Sequence, residues 1–450
     1  MTIEDFKSYV KNKNVGVLGI GVSNTPLICM LSQMGAKVTA RDKKNFDDLG
    51  DTGAKLKSLG VRLVLGENYL EGINEDIIFK TPGMRIDIPQ LVQAKNRGSI
   101  ITSEMEVFFD VCPAEIIAVT GSDGKTTTTT LIYEMLKAEG FTCHLGGNIG
   151  KPLLSEIYNI KPEHKVVVEL SSFQLHTMKK SPSVAVVTNL SPNHLDMHKS
   201  MEEYIAAKEN IYKYQNLGDV LVLNFDNEIT KSFACKAKGK VISFGTDKTN
   251  DVYVDNDSIY FKSTHVLNCR DIFLPGKHNV ENYMAAIAAV YGQVSDKTIK
   301  KVAKTFGGVE HRIEFVREAG GVRYYNDSIA SSPTRATAGL YSFDQKVVLI
   351  AGGYDKEIPF EDFGKVIAKR VKTLILLGAT AEKIKTAVEN AQGEKPEIIM
   401  SESLEQAVKT ASSVAQKGDV VLLSPACASF DMFKNFEERG KMFKKLVMEL

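Results

Sequence analysis

The chain has 450 residues, 43% of them apolar, and its 56 basic and 55 acidic side chains leave a formal net charge of +1. That length suggests about three domains with ordinary cores, and the charge balance argues against the basic stripe of a nucleic-acid binder. No run of about 18 apolar residues is present, the N-terminus MTIEDFKSYVKNKN has no apolar signal core, and six scattered cysteines form no CxxC pair, so a cytoplasmic protein with reduced thiols and no membrane insertion is expected.

Short β-rich runs alternate with helical-period segments from end to end, which predicts an α/β chain of parallel sheets. Three blocks are expected, at residues 1–103, 104–308 and 309–450. The first opens with a strand from Asn14 to Leu18 that runs into Gly19-Ile20-Gly21-Val22-Ser23-Asn24-Thr25. A helix follows to Met34, and a second strand ends at Arg41-Asp42. This is most of a dinucleotide-binding Rossmann pattern, with Asn24 where the third glycine would stand. The residues leave open a dinucleotide, another phosphate-bearing ligand, or a structural turn.

The second block carries the strongest signal, Ala118 to Thr130, AVTGSDGKTTTTT. An apolar strand enters a loop of Gly121, Ser122, Asp123 and Gly124, and a helix from about Lys125 to Glu139 leaves it. Backbone N–H groups and the positive end of a helix make a cradle for phosphate. Lys125 would reach the terminal phosphates, and the hydroxyl of Thr126, followed by Thr127, would hold Mg²⁺. Val119 stands where the general P-loop has its first glycine, so the pattern is the shorter TGxxGK[ST] form. ATP is the expected nucleotide.

Further along, Gly146 to Gly150 is a glycine-dense loop, either a plain turn or a place where backbone approaches a ligand. The strand Lys165 to Glu169 ends in an acid that either holds Mg²⁺ or is solvated. Asn189 to His198 packs two histidines and an aspartate into one loop, a metal site or polar surface. Lys208 lies on an amphipathic helix and, on its own, reads as solvated. Asn279 and Asn282 open an alanine-rich helix, as caps or as purine contacts. In the third block, Arg312 is a phosphate clamp or a surface ion pair, and Tyr325-Asn326-Asp327-Ser328 closes a short strand.

Taken in order, TGSDGKT, VVVELSSFQL, NLSPNHLD, AAKENIY, PGKHNVEN, EHRIE, YYNDS and LLSPACASFDMFKNFEERG resemble the Mur ligases of peptidoglycan synthesis across essentially the whole chain. The resemblance implies a Rossmann-like N-terminal domain binding UDP, a central P-loop ATPase-like domain, and a C-terminal Rossmann-like α/β domain. It implies ATP-dependent amide ligation through an acyl phosphate, with UDP-N-acetylmuramoyl-L-alanine and D-glutamate as substrates. Gly21, Val22, Ser23, Asp42, Thr81, Pro82 and Gly83 would hold UDP, so the half-pattern serves UDP and not NAD. Asn148, Ser171, Gln174 and His194 would line the path to the muramoyl-alanine end. Lys125, Thr126 and Glu169 would serve phosphate and one Mg²⁺. His194 and Lys208 would serve a second, with Lys208 carbamylated by CO₂. Asn279, Asn282, Arg312 and Asp327 would position the nucleotide. Lys356, Ser429, Phe430 and Phe436 would receive D-glutamate, with Ser331 beside them. A monomer is expected. Two departures stand out. Ile329 occupies a site where a lysine is usual, leaving Arg335 or Lys356 to compensate, and Asp123 replaces the usual asparagine.

Overall fold

The computed structural model describes residues 1–192 and 198–450. Two compact units divide them, residues 1–269 with 281–302 and residues 270–280 with 303–450.

The first unit holds two sheets. In one, β1 (Asn14–Leu18), β2 (Lys37–Asp42), β3 (Arg62–Leu65), β4 (Ile77–Lys80) and β5 (Ile100–Thr102) lie in the order β3-β2-β1-β4-β5, and every pair is parallel. The order reverses at β1, so a crevice opens where β1 and β4 end, the usual place for a ligand in such sheets. Gly19 to Ser23 leaves β1 there, and Thr81 to Gly83 leaves β4.

The other sheet has nine strands: β6 (Glu115–Thr120), β7 (Cys143–Gly147), β8 (Lys165–Glu169), β9 (Val184–Val187), β10 (Val220–Asn224), β11 (Lys240–Gly245), β12 (Val252–Asp255), β13 (Ser258–Phe261) and β14 (Thr264–Asn268). Their order is β14-β13-β12-β11-β10-β9-β6-β8-β7, with β12 to β14 antiparallel and the rest parallel. The middle strands are covered on both faces, which is why Ile116 to Val119, Val166 to Val168 and Val184 to Val187 are continuous apolar runs. One core, from Phe6 and Val15 through Met105 and Phe108 to Leu221 and Phe233, is continuous across both sheets. The stretch at residues 103 and 104, where two blocks were expected to divide, thus lies within one compact unit.

The second unit is built on β15 (Glu314–Ala319), β16 (Val322–Asn326), β17 (Val347–Ala351), β18 (Val371–Leu376), β19 (Glu397–Met400) and β20 (Val420–Leu423). The order is β15-β16-β20-β17-β18-β19, antiparallel only between β15 and β16. Alternation along β17 sends Leu349 and Ala351 to one face and Val348 and Ile350 to the other. Helices 333–341, 361–370 and 381–389 cover the first face, and helices 404–414 and 436–448 the second. Among the described residues no helix is long and apolar enough to cross a membrane.

Candidate functional site

The loop after β6 is shaped by two glycines. Gly121 has φ +153° and Gly124 φ +76°. A Cβ on Gly121 would overlap Thr188 Oγ1, and one on Gly124 would overlap Asn282 Oδ1. The loop is therefore pressed against the end of β9 and the helix Lys277–Val290. Ser122 N donates to Asn189 O at 2.8 Å, and Asp123 N to Asn189 Oδ1 at 2.9 Å. Thr188 Oγ1 donates to Asp123 O at 2.6 Å.

The helix that follows runs Lys125–Glu139, between Gly124 and Gly140, both left-handed. Within its threonine run, the Thr129 and Thr130 hydroxyls find acceptors in the carbonyls of Lys125 and Thr126 at 2.8 Å, one turn back. Lys125 Nζ folds over the loop, donating to Gly121 O at 3.0 Å and Ser122 O at 2.8 Å. Thr127 is half-buried on the first turn, and Asp123 is exposed.

Glu169, at the end of β8, is buried and accepts from Thr126 Oγ1 and from Asn148 Nδ2, each at 2.7 Å. Ser171 and Gln174 form a reciprocal capping box on the short helix that follows. Lys208 overturns its solvated reading, being 1% exposed. Its Nζ donates to Thr120 Oγ1 at 3.1 Å and Gly121 O at 2.8 Å. Burial, and next the charge of Lys125, push this amine well below the usual lysine range. Tyr204, one turn earlier on the same helix, brings its hydroxyl within 3.0 Å of Ser122 Oγ. His194 lies outside the described residues. Among the described residues no cluster of three or more His, Cys, Asp or Glu side chains could hold a metal; the described members of the set expected from sequence are Glu169, the Thr126 hydroxyl and the Lys208 amine.

In the crevice of the first sheet, Asp42 accepts from Ile20 N and, at 2.9 Å, from Lys44 N. Asn24 explains its substitution for glycine: buried, it donates to Leu18 O at 3.1 Å and Gly19 O at 2.9 Å, locking the loop from within. Gly21 has open space around it, and Val22 is 84% exposed. Thr81 O accepts from Met84 N at 3.0 Å, closing the turn through Pro82 and Gly83.

The second unit gathers several candidates where β16 and β20 end. Asp327 accepts from Ser424 Oγ at 2.7 Å and Ile313 N at 3.3 Å. Burial pushes its carboxyl up to about 7, against the charges of Arg312 and Arg335. Ser328 Oγ donates to Phe436 O at 2.8 Å. Ser429 is buried, whereas Phe430 is exposed and meets the Tyr354 ring edge-on at 5.9 Å. Ser331 is half-buried, Lys356 exposed, and Ile329 half-buried. Asn279 lies in the first turn of its helix, where its Nδ2 donates to Pro275 O at 2.6 Å and so closes the turn that leads into it. Asn282, by contrast, belongs to the first unit and accepts from Thr128 Oγ1 at 3.3 Å.

A fully buried arginine, to which the sequence reading assigned no role, holds this region together. Arg439 donates to Ser328 Oγ and Ser328 O at 3.0 and 2.9 Å, and to Ala428 O and Cys427 O at 3.2 and 3.1 Å. Its replacement by alanine leaves several buried carbonyls unsatisfied, at about 1–3 kcal/mol each. We expect Arg439→Ala to lose about 3 kcal/mol or more in urea unfolding.

Asp327 gives a second expectation. An unfolded aspartate titrates near about 3.9. Between that pH and about 7 the folded carboxyl keeps a proton that the unfolded one has released, so stability falls as pH rises through the window. Asp327→Asn removes this contribution. Urea unfolding at pH 5 and pH 8 should show a smaller difference for the variant than for the wild type.

Comparison with known proteins completes the picture. The Mur ligase middle domain matches residues 119–290, and the Mur ligase glutamate ligase domain matches residues 311–427. The chain is 58% identical to the UDP-N-acetylmuramoylalanine--D-glutamate ligase of Acetivibrio thermocellus, over 99% of this chain and 98% of that protein. It is 55% identical to the protein of the same name from Clostridium kluyveri, over 99% of both. The solved UDP-N-acetylmuramate-alanine ligase from Thermotoga maritima superposes with a TM-score of 0.60 over 97% of this chain and 99% of that one. At 19% identity that likeness is one of fold.

Proposed function

The chain belongs to the Mur ligase family, and from that premise we propose that it joins D-glutamate to UDP-N-acetylmuramoyl-L-alanine at the expense of ATP. The observation that carries this reading is the loop at Gly121 to Lys125 set beside buried Glu169 and buried Lys208, in a chain 58% identical over its length to a ligase of that name. A carboxylate oxygen of the alanyl group attacks the γ-phosphorus of ATP, and the bond to the ADP oxygen breaks. The D-glutamate nitrogen then attacks the acyl phosphate carbon, phosphate leaves, and the ammonium proton is released to solvent.

Both partners of the first step are anions, so the site must offset their repulsion. Phosphate oxygens are charged and accept more strongly than carbonyls, so the Lys125 ammonium would exchange Gly121 O and Ser122 O for the β- and γ-phosphates. Backbone N–H groups of the loop and the helix Lys125–Glu139 add to that field. Asn282 would support the loop side of the nucleotide, with Asn279, Arg312 and Asp327 on the adenosine and phosphates.

The donor chemistry fits Mg²⁺. Thr126 and Glu169 supply hard oxygen ligands that already face each other. Lys208 fits only as a carbamate: an ammonium repels a cation, while the neutral amine favoured by burial is the form that adds CO₂. The resulting anion would lie in the field of Lys125 and, with His194, serve a second ion. Bound Mg²⁺ would supply charge neutralisation between the carboxylate and the γ-phosphate.

Gly21, Val22, Ser23, Asp42 and the Thr81-Pro82-Gly83 turn would take UDP. Asn148, Ser171 and Gln174 would line the way to the alanyl end. Ser331, Lys356, Ser429, Phe430 and Phe436 would receive D-glutamate. The protein would work in the cytoplasm as a monomer. Phosphate release with ATP, Mg²⁺ and UDP-N-acetylmuramoyl-L-alanine, measured across a panel of D- and L-amino acids, tests the reading. D-glutamate alone should support turnover, and an equal response to other amino acids would refute the proposed specificity.

A further inference from the structure

Helix Met201–Lys213 touches two loops of the first unit. Four residues apart, Tyr204 and Lys208 share one side of it, and both reach the phosphate loop, at Ser122 and Gly121. Its N-terminus is tied elsewhere. Glu203 receives Arg85 through two bonds, Nη2 to Oε1 at 2.8 Å and Nη1 to Oε2 at 3.3 Å. Arg85 stands two residues beyond the Thr81-Pro82-Gly83 turn that leaves β4. The same guanidinium bonds Asp87 through Nε and Nη2 at 2.9 and 3.0 Å. Lys199 closes the ring, donating from Nζ to Asp87 Oδ2 at 2.7 Å and from its backbone N to Glu203. Hydrogen bonds from Arg85 pull the Glu203 carboxyl down to about 2 and hold Asp87 well below the carboxylate range, so both acids are ionised at neutral pH.

We propose that Arg85 is a positioning residue: through Glu203 it fixes helix Met201–Lys213 against the turn proposed to hold UDP, and so sets where Tyr204 and Lys208 meet the phosphate loop. The inference rests on the function proposed above. An isolated surface ion pair is worth little, but the Arg85–Glu203 pair is bidentate and only partly exposed, at 24% and 22%, whereas Asp87 and Lys199 beside it are exposed, at 40% and 71%. A helix is stiff along its axis, so a displaced first turn carries Tyr204 and Lys208 with it. Misplacement of catalytic groups by about 1 Å costs on the order of 100-fold in rate. Arg85 thereby joins the sugar-nucleotide turn to the ATP loop without touching ATP.

The test uses the full chain, with turnover by the wild type as the reference. Arg85→Ala and Glu203→Gln should each lower kcat or weaken ATP binding, measured by calorimetry, by about tenfold or more, with little change in Tm. The double variant should be no worse than the poorer single one, because both break the Arg85–Glu203 contact through which the effect is proposed to run. Arg85→Lys should recover only part of the loss, since lysine cannot form the paired bonds. Lys236→Ala, which removes a 2.6 Å ion pair to Glu209 on the same helix, should leave turnover unchanged. Wild-type kinetics and ATP affinity in both single variants, or losses that simply multiply in the double variant, would overturn the inference. An inactive wild type would instead overturn the proposed function, and this inference with it.

Discussion

Lys125→Ala should lose at least about 10²–10³ in kcat, the usual cost of removing one preorganised charge contact to a developing transition state. The physical case is specific. Two anions must approach within bonding distance, and Lys125 is the cation on the first turn of the helix that the loop feeds. Its present partners are the carbonyls of Gly121 and Ser122, and Gly121 O keeps the Lys208 amine as a donor when the side chain is removed. The fold should therefore survive, with thermal unfolding close to the wild type. Steady-state phosphate release at saturating ATP measures the loss. Turnover within a few-fold of the wild type would remove Lys125 from the chemistry.

Lys208→Ala should be inactive and should regain part of its activity when a small carboxylate such as acetate is added. Lys208 is buried, it donates to Thr120 Oγ1 and Gly121 O, and its surroundings disfavour the ammonium. Truncation removes a long side chain from a buried position beside the phosphate loop, and a short anion is expected to enter the space. That anion would replace the oxygen ligand supplied by the carbamate. Wild-type activity should also fall when buffers are stripped of CO₂ and return when bicarbonate is added. Insensitivity to both treatments would dismiss the carbamate.

Much of the architecture was legible because the signals are local. TGSDGKT announces a strand, a glycine turn and a helix start at Lys125, and the helix begins there. Alternating apolar runs announce parallel sheets, and the central strands are covered on both faces. The arrangement of side chains in three dimensions was less legible. Lys208 looked like a solvated helical lysine because nothing within a few residues shows that Thr120 and Gly121, nearly 90 residues away, close over it. Arg439 falls within LLSPACASFDMFKNFEERG, but its role was not readable, since its acceptors at Ser328, Cys427 and Ala428 are supplied by loops the sequence cannot juxtapose. Asn24 departs from the glycine pattern, and its two side-chain hydrogen bonds to Leu18 O and Gly19 O could not be read from the sequence. The Arg85 ring was invisible for the same reason as Lys208: Arg85 and Glu203 lie 118 residues apart.

The central claim is that a substrate carboxylate, and not water, meets the γ-phosphorus held over the loop at Lys125. UDP-N-acetylmuramoyl-L-alanine labelled with ¹⁸O in its alanyl carboxylate tests it directly, by mass spectrometry of the phosphate released in the presence of D-glutamate. The account predicts one labelled oxygen in each phosphate from doubly labelled substrate, with ADP as the nucleotide product. Unlabelled phosphate, or release of AMP and pyrophosphate, would contradict it.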